Sequence, residues 1–123
     1  MTISELYASI DGDYEQAKRV LRMDRLIDKH IRRFKSAGVG EQIVAAGRAM
    51  DAQALFESAH AMKGVCGNLG LVKLAAAANE ITEEFRPGHA RTMSDDEVRE
   101  MIAGVETLYR NAIEGIERYE AQA

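Results

Sequence analysis

An all-α fold, an antiparallel four-helix bundle with one or two short extra N-terminal helices, is what the sequence predicts. Three observations predict it. The chain is rich in alanine, glutamate, leucine, arginine and methionine and has a single proline and no tryptophan, a composition that favours helix almost everywhere. Apolar residues recur at spacings of three and four along most of its length, the period of one helix face. No stretch alternates apolar and polar residues as a half-buried strand would, and there is no internal repeat or low-complexity segment.

Thr2-Ile3-Ser4-Glu5 has capping-box spacing and opens a short first helix near 3–9, which ends at the Asp11-Gly12 break. Asp13, with Gln16 three residues on, caps a second segment that runs to about Arg22. Over 24–35, Ile27, Ile31 and Phe34 mark an amphipathic helix whose other face carries Arg25, Lys29, Arg32 and Arg33. Gly38 and Gly40 are expected to end it. A moderate helix follows over 41–50 with Ile43, Val44 and Gly47 inward, and Asp51 caps the next, over 52–67.

Gly67, Asn68 and Gly70 supply the left-handed backbone tolerance that a helix end uses. Leu71, Leu74, Ala78, Ile81 and Phe85 form the stripe of the following helix, and Pro87-Gly88 stops it. The stretch 86–93 is a non-periodic loop holding His89 and Arg91. Ser94-Asp95-Asp96-Glu97 is a second capping box, opening a long helix through Val98, Met101, Ile102, Val105, Leu108, Ala112, Ile116 and Tyr119. The four long stripes imply the bundle.

With 123 residues the chain makes one domain, 1–123 with a core of about 13–121, large enough to bury a real core and too small for two enzyme domains. The formal net charge of −4, from 20 acidic and 16 basic residues, argues against a nucleic-acid binder held by a basic face. A single cysteine cannot close an internal disulfide, and Cys66 falls on an apolar stripe, so it reads as a small buried hydrophobe in a reducing compartment. The N-terminus has neither a basic start nor an apolar core, and no stretch is long and apolar enough to span a membrane. A cytoplasmic, free-standing protein is expected, with Met1 as its initiator. A monomer is expected too, although the long last helix with Tyr109 and Tyr119 leaves dimerisation open.

The most informative segment is Ser58-Ala59-His60-Ala61-Met62-Lys63-Gly64-Val65-Cys66-Gly67-Asn68-Leu69-Gly70. On helical spacing Lys63 and Gly64 lie at i+3 and i+4 from His60, on one face. The apolar residues Leu55, Ala59, Met62, Cys66 and Leu69 make a stripe about 100° of rotation away, so His60 should point outward. A glycine inside a helix costs roughly 0.5–1 kcal/mol relative to alanine, and something should compensate for Gly64. Either a partner's backbone or a phosphoryl group approaches closely there, or the glycine only permits tight helix packing.

The string Ala59-His60-Ala61-Met62-Lys63-Gly64, followed by Gly67-Asn68-Leu69-Gly70, resembles the signature of histidine-containing phosphotransfer (HPt) domains, and the helix order fits that family over nearly all of 13–121. The resemblance implies a phosphorelay carrier in which His60 is the phosphoacceptor through Nε2. It also implies donors and acceptors that are aspartates on response-regulator receiver domains, with a hybrid sensor kinase upstream and Mg²⁺ carried by the receiver. No cofactor is expected on this chain itself. Histidine changes charge near neutral pH, so a neutral nucleophilic imidazole needs no activating base. Lys63 would set a compact positive charge beside the phosphoryl oxygens, and Gly64 would admit the partner's loop.

Around this centre, Phe56 at i−4 is a candidate docking ring and Gly67 lies on the expected docking surface. Where the family often has an amide side chain facing the histidine, an ungapped count lands on Thr82, with Asn79 one turn before it. Thr82 departs from the family pattern, although a hydroxyl can still donate to a phosphate oxygen.

Two rivals compete. A metal-binding bundle would have to use His30, His60, His89 and Cys66, but no Glu-x-x-His, His-x-x-x-His or cysteine pair is present. A docking module that binds a receiver or another regulator without accepting phosphate is the closer alternative. An autonomous enzyme is disfavoured, since the chain has no P-loop, kinase-type glycine loop or placeable catalytic carboxylate pair.

Overall fold

The computed structural model describes residues 1–122. Seven helices follow one another among them: α1 Ile3–Ser9, α2 Tyr14–Leu21, α3 Asp24–Ala37, α4 Val39–Ala49, α5 Ala52–Asn68, α6 Val72–Glu84 and α7 Asp95–Ala121. The starts of α1, α2, α5 and α7 are set by the side chains that the sequence singled out. Thr2 with Glu5 and Ser94 with Glu97 close reciprocal capping boxes, while Asp13 and Asp51 each accept a hydrogen bond from the backbone N–H three residues on.

The bundle has four sides. One is α3 and α4 taken together, and the others are α5, α6 and α7. Contacts along α7 fix the direction of the first side: Asp28 meets Tyr119, Arg32 and Lys35 meet Glu120, Glu41 meets Tyr109, and Gly47 lies against Ile102. Residue numbers rise on α3–α4 as they fall on α7, so the two run antiparallel. Short connections then reverse the chain into α5 and α6. Leu55, Ala59, Met62 and Cys66 of α5, Leu74, Ala78 and Ile81 of α6, Ile43 of α4 and Val98, Val105 and Ile116 of α7 fill the core.

Two readings are corrected. Gly38 alone ends α3, with φ of +70°, and the helix restarts at once. Gly40 is a buried residue of α4, because a side chain there would collide with the Tyr109 ring. The helices therefore reach Ala37 and start at Val39, beyond the expected 35 and 41. The loop after α6 is anchored: the buried Glu84 carboxylate accepts from Thr92 N (2.7 Å), Thr92 Oγ1 (2.8 Å) and Met93 N (2.7 Å). Tyr109 and Tyr119 are buried and donate within the molecule, to Glu41 and Asp28.

The short helices α1 and α2 close one end of the bundle on the turn between α5 and α6. Tyr7 Oη donates to the Leu69 carbonyl, Asp13 N to the Gly70 carbonyl (2.7 Å) and Gln16 Nε2 to the Gly67 carbonyl (2.8 Å). Gly70, at φ +71°, packs so closely on the Asp13 backbone that a side chain would not fit.

Candidate functional site

Helix α5 carries the site because its apolar stripe and its polar face separate cleanly. Leu55, Ala59, Met62 and Cys66 are all fully buried, which rotates His60 into solvent. Burial pushes the Cys66 thiol up to about 12, so it stays protonated and inert.

Gly64 and Gly67 lie along the His60 face, and a β-carbon at either would meet no atom within 4 Å. This removes the packing explanation for Gly64. In the same molecule Gly40, Gly47 and Gly115 show what packing glycines look like, with Tyr109, Ile102 and Ile10 filling the space a side chain would need. The backbone beside His60 is bare toward solvent.

The imidazole of His60 packs on an aromatic ring. It stacks on the half-buried ring of Phe56, one turn earlier, with centroids 5.6 Å apart and planes 10° from parallel. The Arg86 guanidinium lies over the same phenyl ring at 5.6 Å. Arg86 is in turn held by Glu83 through two bonds of 2.9 Å, Nε to Oε2 and one terminal nitrogen to Oε1. The Arg86 hydrogen bond holds the Glu83 carboxyl below its ordinary range against the opposing effect of burial, with further help from the charges of Arg86 and Lys63. Lys63 itself is half-buried and has no carboxylate within 4.0 Å among the described residues.

Next to Gly64, Val65 is 38% exposed and opens onto a mainly apolar groove of about 260 Å³. Leu21, Phe34, Val39 and Leu69 line it, with His30 and Arg33 at the polar side. On α5 the groove is bordered by Val65, Asn68 and Leu69.

A family model described as the Hpt domain matches residues 10–118. The chain belongs to the Hpt domain family. Members of the family are phosphocarriers of phosphorelays that work by histidine phosphotransfer and interact with receiver domains. No curated protein and no solved structure matches the chain.

In this Hpt domain α6 does not supply the expected polar neighbour. Thr82 is wholly buried, and its hydroxyl donates to the Ala78 carbonyl at 2.8 Å, the back-bond that threonine makes inside a helix. It offers nothing to phosphate or to a docking partner, which corrects the expectation placed on it. Asn79 is half-buried, and its carboxamide oxygen is enclosed without a hydrogen-bond partner among the described residues. The polar groups that do reach the site from this side are Glu83 and Arg86. Their spacing from Asn79, i+4 and i+7, was the available signal, but only the packing of α6 on α5 shows that Arg86 covers Phe56.

The other histidines stand apart. His30 borders the groove and the His89 ring lies 3.3 Å from the Glu84 carbonyl in the loop. Among the described residues no three His, Cys, Asp or Glu side chains gather as a metal site would require, and no helix is long and apolar enough to cross a membrane.

Proposed function

We propose that His60 takes a phosphoryl group from an aspartyl phosphate on one receiver domain and passes it to an aspartate on another, in a cytoplasmic phosphorelay fed by a hybrid sensor kinase. The observation that carries the reading is an exposed imidazole steadied by Phe56 on a helix face that Gly64 and Gly67 leave bare. In the first step Nε2 attacks phosphorus while the bond from phosphorus to the aspartate oxygen breaks and its electron pair returns to the carboxylate. The imidazole keeps its proton on Nδ1 and carries the positive charge. In the second step a carboxylate oxygen attacks phosphorus and the N–P electron pair returns to Nε2. Charge and atoms balance without a proton acceptor or a nucleotide site on this chain.

Lys63, unpaired and one turn from His60, lends a point charge to the phosphoryl oxygens in both directions. The bare backbone at Gly64 and Gly67 admits the receiver's loops, and Phe56, Asn79 and the groove beyond Val65 give its surface something to seat against. The divalent cation of the reaction, Mg²⁺, sits on the receiver in this reading.

The test is phosphotransfer from a phosphorylated receiver domain to the wild type and to His60→Gln, read as acid-labile, base-stable label on this chain. Label on the wild type that is lost with His60 is expected. Label that persists in His60→Gln overturns the assignment, and a wild type that binds receivers without taking label is the docking module instead.

A further inference from the structure

We propose that Glu83 is a resident stand-in for the phosphoryl group, holding Arg86 on the Phe56 ring that stacks on His60 in the unphosphorylated domain and surrendering it to the phosphoryl oxygens when Nε2 is modified. The inference rests on the carrier reading of His60 and adds to it a second cation and the group that competes for it.

Three contacts form a chain to the site. Glu83 grips Arg86 at 2.9 Å through both carboxylate oxygens, Arg86 covers the Phe56 ring at 5.6 Å, and Phe56 stacks on His60 at 5.6 Å. The planar fork of arginine that fits a carboxylate also fits the oxygens of a phosphoryl group. An ordinary Glu–Arg pair at i,i+3 would sit anywhere on a helix surface. This one has its guanidinium on the very ring that positions the phosphoacceptor.

The competition favours exchange. The Glu83 and Arg86 side chains are 52% and 44% exposed, so the pair is screened by water and weakly held. A phosphoryl group carries roughly twice the negative charge of a carboxylate near neutral pH. Lys63 also acts on Glu83 through its charge, so the carboxylate feels both Arg86 and the lysine one turn from His60. Thr82, the position on α6 where an amide was expected, is buried and bonded to its own helix, and Arg86 is a donor that the turn after α6 presents.

The experiment phosphorylates the whole protein with phosphoramidate, which transfers its phosphoryl group to histidine and releases ammonia. Phosphorus NMR confirms the phosphohistidine, and His60→Gln locates it. The side-chain 15N signal of Arg86 and the carboxyl 13C signal of Glu83, assigned with Arg86→Gln and Glu83→Gln, are recorded before and after. Both should move as the pair opens. Steady-state phosphohistidine at fixed phosphoramidate should rise by about threefold in Glu83→Gln and fall by a similar factor in Arg86→Gln, the size of one exposed ion pair. In the double variant most of the gain should vanish, because Glu83 acts through Arg86. A pair with only a helix-stabilising role would leave the signals and the occupancy unmoved. Phosphorylated His60 with unmoved Arg86 and Glu83 signals overturns this inference alone, whereas no phosphorylation at His60 overturns the carrier reading and this inference with it.

Discussion

Gly64 weakens the helix that carries His60 and packs against nothing, which makes it the sharpest test at the scale of one residue. Alanine there should stabilise the domain by about 0.5–1 kcal/mol in urea unfolding, because the helix gains propensity and no neighbour is displaced. Gly64→Arg should leave the helical circular dichroism unchanged and abolish transfer to and from a receiver domain. Normal transfer in the arginine variant would mean that no partner approaches this backbone. His60, Lys63 and Gly64 were legible in the sequence, because spacing on one helix decides which of its faces they share. Arg86 and Glu83 were not, because their relation to Phe56 exists only once α6 is packed on α5.

Among the elements, the turn after α6 shows how far a local reading reaches. Its composition marks a loop, and nothing in the order of residues says that Glu84 turns inward to bind Thr92 and Met93. Burial of the Glu84 carboxyl would raise its pKa, but the hydrogen bonds from Met93 and Thr92 outweigh it and hold the group below its ordinary value of 4.5. A carboxyl depressed in the folded state stabilises the fold above its unfolded pKa, and that contribution is lost as pH falls from about 4.5 through the lower folded value. Glu84→Gln should therefore cost about 1–2 kcal/mol at neutral pH, and the gap from wild type should close in acid. A gap that is constant with pH in thermal unfolding would show that charge is not what anchors the loop. Gly40 was misread for a related reason: a glycine shortly after a helix end looks like a terminator, and only the Tyr109 ring against it shows that it is there for contact.

For the whole molecule, the bundle was legible from four amphipathic stripes, and the break of its first side at Gly38 was legible as a helix end. That α3 and α4 nevertheless serve as one side is a matter of what α7 offers them, a length of 27 residues against which both can lie. The way α1 and α2 close on the end of α5 likewise depends on contacts distant in sequence. Tyr7→Phe removes the hydroxyl that meets the Leu69 carbonyl and should cost about 1 kcal/mol in chemical denaturation. An unchanged midpoint would show that water replaces the bond without loss.

That same closure has a kinetic meaning. The α5–α6 hairpin needs only a short chain reversal, whereas the bond from Tyr7 joins residues 62 apart in sequence, and contacts between distant residues are entropically late. The α5–α6 hairpin should form first and the N-terminal helices latch onto its turn afterwards, so that Tyr7→Phe quickens unfolding and leaves the refolding limb of the chevron where it was. The helix that bears His60 would then be complete in the transition state before its far end is fastened.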